Sequence, residues 1–514
     1  MRSVRTARSL VTGALLGRRA AKVSRLRPLD FGPFGSDLDR LTPERRVAID
    51  HLLTGGTVAS IQARLTEGSL TAEELVIGAL DRIRRLEPTL CAVVELNPDA
   101  LVEARAADAR RREGAVMGDM DGIPVTVKDN IGSSGPMHTT GGAVVLADHI
   151  AQEDSPVVAS LRAAGSVLVG KANLSELAGA VCRQPGVSAV GGASRNPYGA
   201  GYSPGGSSSG SAVAVAAGLS AVSVGTETSG SLLAPSAFNG VVGIKPTHGR
   251  TDGAGIIPLV RRQDTAGAVG RCVADAAALL AAISDVVVES GSLDPDALSG
   301  VRVGVLRADI LSQRTPLEDT SDAEEVLARI MEGLLDSGAI AVVAEVSEES
   351  PGQFDRNFAK VVLGGLTWDT TDFLAANTGT VTDLESLQAF NLAHPRRRMP
   401  AGQFFVDLAT LSGITREGYE AASDAACRRA REMLEASFDA AGVDLLVSIT
   451  NRHSSLYATG GFPAANVPLG LRSNGMPTGA TLIGRRNEDE LLVDRAFAFE
   501  QATCLRVAPG LDGR

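Results

Sequence analysis

The chain has few of the residue types that bind metals or form disulfides, and it has no long apolar run. Its six histidines (His51, His138, His149, His248, His394 and His453) form no HExxH or HxH pattern, which argues against a metal enzyme. Five cysteines, Cys91, Cys182, Cys272, Cys427 and Cys504, are odd in number and contain no CxxC pair. That disfavours a disulfide scaffold or a structural zinc site and suits free thiols in a reducing compartment. No stretch reaches the roughly 18 uninterrupted apolar residues a membrane-spanning helix requires. Aromatic residues make up only 4% of the chain, against 57 glycines, so the core must pack backbones closely with small side chains. GxGxxG after an early strand and GxxxxGK[ST] are both absent, so nucleotide phosphates have no recognisable cradle. With a net charge of −11, the protein as a whole should not seek nucleic acid or anionic membrane. No cofactor is expected.

What is present suits one large α/β domain. Hydrophobic residues at 44% and charged residues at 21% are ordinary for a globular chain of 514 residues. Residues 1 to 27 carry Arg2, Arg5, Arg8, Arg18, Arg19, Lys22, Arg25 and Arg27 with no acid, and read as a flexible basic leader. Thr42 and Pro43 open a helix, and Thr71 with Glu74 forms a capping-box signature that opens another, ending at Pro88. From there helix and strand patterns alternate. Strands are expected at CAVVEL (91 to 96), 122 to 127, SVLVG (166 to 170), 221 to 225 and 240 to 244. Helices are expected at 98 to 114, 155 to 164, NLSELAG (173 to 179), 212 to 218 and 273 to 283. Beyond 300 come strands at VRVGVL and AIAVVAEV, a long helix from Gly418 to Leu434, a strand from Leu445 to Ile449, two strands around Ser473-Asn474-Gly475, and a closing helix from Glu488 to Gln501. The pattern predicts a mixed central sheet with helices on both faces, and a more variable subregion at about 300 to 440.

The chemistry concentrates in GGSSSGSAVAVAAGLSAVSVGTETSGSLLAPS, residues 205 to 236. Two serine-glycine clusters bracket an alanine-valine run. Gly206-Ser207-Ser208-Ser209-Gly210 has the letters of a GxSxG elbow without a clear strand-turn-helix context, and lacks the lysine a phosphate loop needs. Thr226 to Ser231 can converge successive backbone N–H groups on an anion, with Gly230 permitting the dihedral, or can be an ordinary turn. A serine nucleophile needs a base, and no histidine lies in a serine-rich loop. Lys128 ends an apolar-leaning strand, where desolvation would lower its pKa. It is either that base or a core-edge lysine paired with Asp129 or a neighbour. Arg396, Arg397 and Arg398 suit a solvated basic face better than a carboxylate site.

These segments resemble the amidase signature family. The likeness is carried by GIPVTVKDN (122 to 130), GKANLSE (170 to 176), SRNPYG (194 to 199), SPGGSSSGSAVAVAAG (203 to 218), VGTETSGSLLAPSAFNGVVGIKP (224 to 246), FPAANVPLG (462 to 470) and MPTGATLIG (476 to 484). It spans about 65 to 285 strongly and 440 to 502 moderately, within a domain of 28 to 514. The motif style is that of the branch containing bacterial peptide amidases. The resemblance implies an amidase signature fold and a Ser-cisSer-Lys amidohydrolase. Ser231 would be the nucleophile, Ser207 the relay serine after a cis bond from Gly206, and Lys128 the general base. The backbone N–H groups of Thr228, Ser229, Gly230 and Ser231 would form the oxyanion hole, with Ser208, Gly206 and Glu227 in support. The substrate would be a small-molecule or short-peptide amide, cleaved with water through an acyl-enzyme. The same machinery suits an ester or carbamate. The other readings are a non-catalytic scaffold and an amidotransferase A-type subunit. A homodimer is compatible with this picture, and a cytoplasmic location is expected, with export or membrane association through the basic leader left open.

The chain departs from the family pattern at three places. Glu227 stands where many members have aspartate, Ser229 where they have glycine, and Leu233 where they have arginine. Glu227 therefore lacks its expected partner. Met137, Trp368, Phe404, Phe405 and Tyr457 are candidate pocket walls, from variable segments at 133 to 155, 178 to 195 and 300 to 460.

Overall fold

A computed structural model describes Thr6 and residues 22 to 289, 291 to 306, 323 to 346 and 351 to 511, with backbone alone for 351 to 356. Residues 1 to 5 and 7 to 21 of the expected leader lie outside the described residues. The end of that segment is docked: Val23 O accepts from Ala193 N at 3.1 Å, and Leu26 N donates to Val190 O at 2.7 Å.

The strands, in chain order, are β1 (Val93–Leu96), β2 (Pro124–Lys128), β3 (Val167–Ala172), β4 (Val187–Ser188), β5 (Gly192–Ala193), β6 (Val222–Glu227), β7 (Val242–Lys245), β8 (Thr265–Gly270), β9 (Arg302–Leu306), β10 (Ile340–Ala344), β11 (Leu445–Ile449), β12 (Ala464–Leu471) and β13 (Pro477–Gly484). Eleven of them form one sheet in the order β1-β3-β2-β6-β8-β7-β12-β13-β11-β9-β10, and β4 pairs with β5 separately. β2 is parallel to both β3 and β6, and β9 is parallel to β10 and β11. The middle of the sheet, through β8, β7, β12 and β13, is antiparallel. The sheet is therefore mixed, and helices flank it. Most central strands are buried along their whole length, which explains why they read as short apolar runs without alternation.

Local chemistry sets the helix starts. Thr42 accepts from Arg45 N, opening Pro43–Gly55. Thr71 and Glu74 complete the capping box that opens Ala72–Leu90. That helix does not stop at Pro88. It continues to Leu90, and Cys91 then takes a left-handed conformation (φ 49°). A proline this late removes only one bond of a ladder that is ending anyway. The buried Glu87 carboxylate accepts from Ala92 N and Val93 N, fixing the turn into β1.

Other expectations needed correction. NLSELAG does not make a regular helix. Only Glu176–Gly179 is helical by hydrogen bonding, and Leu177 (φ 47°) and Ala178 (φ 58°) are left-handed. Non-glycine residues rarely adopt that region, so the neighbouring structure must hold them there. β8 was not expected, because TAGAVG has little β-branched character. The helix Leu233–Phe238 was hidden by its internal Pro235.

Candidate active site

β2 and β6 are parallel neighbours, with Val127 opposite Val224. This pairing brings Lys128, at the end of β2, beside Thr226 on β6. Lys128 is fully buried. Its Nζ lies 2.7 Å from Ser207 Oγ, 2.8 Å from Thr226 Oγ1 and 3.2 Å from Thr226 O. Thr226 Oγ1 also accepts from Asn130 Nδ2 at 3.1 Å. Burial pushes the lysine down to about 7, against the opposing pull of Asp264 and Glu227.

The adjacent Asp129 is not the partner of Lys128. Its carboxylate accepts from the Thr140 hydroxyl, Thr140 N and Gly142 N, and it faces buried Lys171. Lys171 Nζ in turn donates to Ile131 O and Thr139 Oγ1.

Ser207 follows a cis peptide bond from Gly206. The loop is held closely around it. Ser207 O accepts from Ser175 N at 3.0 Å. A Cβ on Gly206 would sit 2.4 Å from Ser175 Oγ, so any larger residue would force Ser175 off the bond it accepts from Gly186 N. Ser208 links the two serine clusters: its N–H donates to Ser231 O at 2.9 Å, and its hydroxyl bridges to Thr226 O and Thr226 N. Ser209–Ala216 then forms a wholly buried helix.

Ser231 and Ser207 line the same cleft, of roughly 270 Å³. Gln263 Nε2 donates to Thr228 O at 2.8 Å. In a trans peptide this directs the N–H of Ser229 to the opposite side. Gly230 takes φ +73°. Among the described residues, no acceptor engages the N–H of Ser229, Gly230 or Ser231. Thr228 Oγ1 donates to Asp264 at 2.5 Å, and the Asp264 carboxylate also accepts from Leu259 N and Val260 N. Burial raises Asp264 to about 6.

Glu227 has partners that the sequence did not reveal. One carboxylate oxygen accepts from Leu232 N at 2.9 Å and Leu233 N at 3.0 Å, at the start of Leu233–Phe238. Buried Lys245 faces it. The fully buried Tyr457 hydroxyl also lies beside it, and burial together with that carboxylate pushes the phenol far above its ordinary range. Two backbone amides thus hold the carboxylate, with Lys245 and Tyr457 close by, where the arginine is absent at Leu233.

Of the five aromatic and methionine candidates, Phe405 lines the cleft, and Phe404 lies under Arg183, with the guanidinium carbon 4.1 Å from the ring centroid. Met137 and Tyr457 are buried in the core. Trp368 carries Arg416 on its face and donates to Ile414 O. The remaining walls come from Ser175, Ala178, Gly179, Cys182 and Leu259, and from Phe358 and Val362 on the helix Pro351–Gly365. Arg396 and Arg397 are exposed, and Arg398 stacks on Phe390. Asn451 and Ser454 were also missed: Asn451 Nδ2 crowds Gly230, and Ser454 Oγ lies 3.3 Å from Ser229 Oγ. Their contact depends on the packing of distant segments, for which no local pattern exists. Among the described residues no His, Cys, Asp and Glu cluster could hold a metal ion, and no helix is long and apolar enough to cross a membrane.

The family model described as Amidase matches residues 74–455. The chain belongs to the amidase family. A probable amidase of Arabidopsis thaliana is 34% identical over 480 residues, covering 88% of this chain and 91% of that protein. The structure of an amidase family protein from Bacillus anthracis superposes with a TM-score of 0.84 at 31% identity, covering 93% of this chain and 97% of the other. The peptide amidase of Stenotrophomonas maltophilia gives 0.81 at 36% identity, covering 89% and 99%. The A-type subunit of a glutamyl-tRNA(Gln) amidotransferase from Symbiobacterium thermophilum is 30% identical, over 87% of this chain and 96% of that one. The expected fold and the amide-hydrolysing class both stand: this is an amidase with a large mixed sheet.

Proposed function

We propose that this amidase is a stand-alone amidohydrolase that cleaves a carboxamide or secondary amide through an acyl-enzyme on Ser231. The observation that carries the reading is the 2.7 Å contact between the fully buried Lys128 Nζ and Ser207 Oγ. Thr226 O can only accept, and Thr226 Oγ1 already receives Asn130. A neutral lysine has two N–H groups for Thr226 and a lone pair left for the hydroxyl of Ser207. A lysine near pH 7 in its titration is suited to take that proton.

Ser207 then takes the proton of Ser231, and Ser231 Oγ attacks the amide carbonyl carbon. The tetrahedral oxyanion is met by the N–H groups of Thr228, Ser229, Gly230 and Ser231. As the C–N bond breaks, the proton returns from Lys128 through Ser207 to the leaving nitrogen. Water, deprotonated by the same relay, attacks the acyl-enzyme and releases the acid. Ser208 and Gly206 hold the relay loop. Glu227 holds the start of the helix that follows the nucleophile.

Similarity to the peptide amidase favours amidated peptides among the substrates, and the relay would also suit esters and carbamates. The test is a hydrolysis screen of primary amides, peptide amides and anilides with S231A as the blank. Turnover by the wild type and none by the blank supports the reading. Equal turnover by both contradicts it. A second reading, an amidotransferase A-type subunit, is favoured by the 30% identity to such a protein. It predicts that partner subunits copurify and that the isolated chain hydrolyses no simple amide.

A further inference from the structure

Among the described residues, the cleft that holds Ser207 and Ser231 has one charged side chain in its lining, Arg183. Its guanidinium lies on the Phe404 ring, 4.1 Å from the centroid. Stacking on a ring leaves the in-plane N–H donors of an arginine free to bind an acceptor. Many arginines among the described residues pair with carboxylates, among them Arg25, Arg45, Arg85, Arg105, Arg250 and Arg485. Arg183 pairs with none among the described residues.

Its position is also anchored. Phe405 N donates to Val181 O at 3.1 Å, so the loop carrying Arg183 is clamped to the helix Phe404–Ser412. Phe405 and Cys182, which flank the stacked pair in sequence, face the cleft as well. The nearby acid Asp264 lines an adjoining cavity, which shares Ala178, Thr228 and Leu259 with the cleft, and its carboxylate accepts from Thr228 and two backbone amides. Cys182 is not an anion at neutral pH, since burial and Glu176 push its thiol up to about 12. Among the described residues, the cleft lining therefore offers an exposed cation stacked on Phe404, apolar walls at Phe358, Val362 and Phe405, and no carboxylate.

We propose that Arg183 is a specificity-determining residue that binds a carboxylate on the substrate, so that the preferred amides are acidic ones with an apolar portion. This rests on the amidohydrolase reading above. A guanidinium matches a carboxylate with two parallel N–H donors, and the charge of the pair makes those bonds stronger than neutral ones. The carboxylate would take no part in bond making. It would hold the amide in register with Ser231 and would show mainly in KM.

The test uses matched primary amides: glutaramate against pentanamide, and an acyl-glutamic acid α-amide against the acyl-norvaline amide. The wild type should favour the acidic member of at least one pair by about tenfold or more in kcat/KM, and added salt should erode that preference. R183A and R183Q should lower the acidic member by about tenfold while leaving the neutral member within about twofold, and R183K should retain part of the preference. The neutral member reports on folding, so a misfolded variant is recognised at once. Equal rates for both members of each pair in the wild type would overturn the proposal. So would R183A and R183Q lowering both members alike. An S231A enzyme as active as the wild type, or a wild type active on no amide, would instead remove the amidohydrolase reading and this inference with it.

Discussion

Two regions meet at the cleft and are built on different physics. The floor comes from β2, β6 and the serine-glycine loops between 203 and 231. The outer wall comes from helices between 351 and 441. In the floor, polar groups are buried and bonded to one another: Lys128, Ser207, Ser208, Asn130 and Thr226 form one connected set. A buried polar group that loses its partner costs about 1–3 kcal/mol, so each member constrains the next. In the wall, Val361, Leu366, Leu374, Leu387, Val406, Tyr419 and Ala426 pack by shape into one apolar cluster. Such packing tolerates volume-conserving exchange. The floor can therefore fix a reaction while the wall changes what reaches it.

The sharpest way to break this contrast is to remove a floor group. K128A and S231A should each lower kcat/KM by about a thousandfold or more on any amide, with folding retained by circular dichroism. A K128A enzyme at near wild-type turnover would end the distinction. Next is G206A, whose Cβ would meet Ser175 Oγ at 2.4 Å. It should cost about 1–3 kcal/mol in denaturant unfolding and most of the activity. A fully active, fully stable G206A would mean the loop is looser than its contacts require.

The pH profile tests the floor without mutation. Lys128 must be neutral to accept a proton, and its pKa is lowered to about 7. Below that, kcat/KM should fall by about tenfold per pH unit, and above it should level. A profile still rising through pH 9 would place the base elsewhere. In the wall, F405A should raise KM severalfold for bulky amides and leave kcat on a small one such as propionamide within about twofold. Equal losses on both would make Phe405 part of the floor.

The smallest effect concerns Glu176, buried behind the cleft and raised to about 8 by desolvation, with Ala189 N as its donor. A carboxyl raised above its ordinary 4.5 stabilises the fold fully below that value and loses the contribution as pH rises through about 8. E176Q should therefore flatten the fall in melting temperature between about pH 5 and 8. An unchanged slope across that range would assign the fall to other groups.

The two regions also differ in how far they could be read from sequence. Lys128, Ser207 and Ser231 stand in short motifs whose spacing carries meaning. Strands such as Leu445–Ile449 and helices such as Val273–Ile283 follow from local apolar pattern. What escaped depends on distance along the chain. Glu227 is held by nearby amides and surrounded by Lys245 and by Tyr457, the latter more than two hundred residues away in sequence. The wall was legible only as a variable stretch, because which of its side chains face the cleft depends on how the helices pack. Phe405 faces it, while Trp368 lies under Arg416. Arg183 lies in a loop with no periodicity, beside a segment whose left-handed Leu177 and Ala178 defeat a helical reading.

The central claim is that Ser231 carries the acyl group and that Lys128 activates it through Ser207. It is tested most directly by trapping the enzyme with a fluorophosphonate across a pH series and mapping the adduct by mass spectrometry in wild type and K128A. The account predicts a single adduct on Ser231, forming faster as pH rises through about 7 and nearly absent in K128A. An adduct on Ser207, or K128A labelling at the wild-type rate, would contradict it.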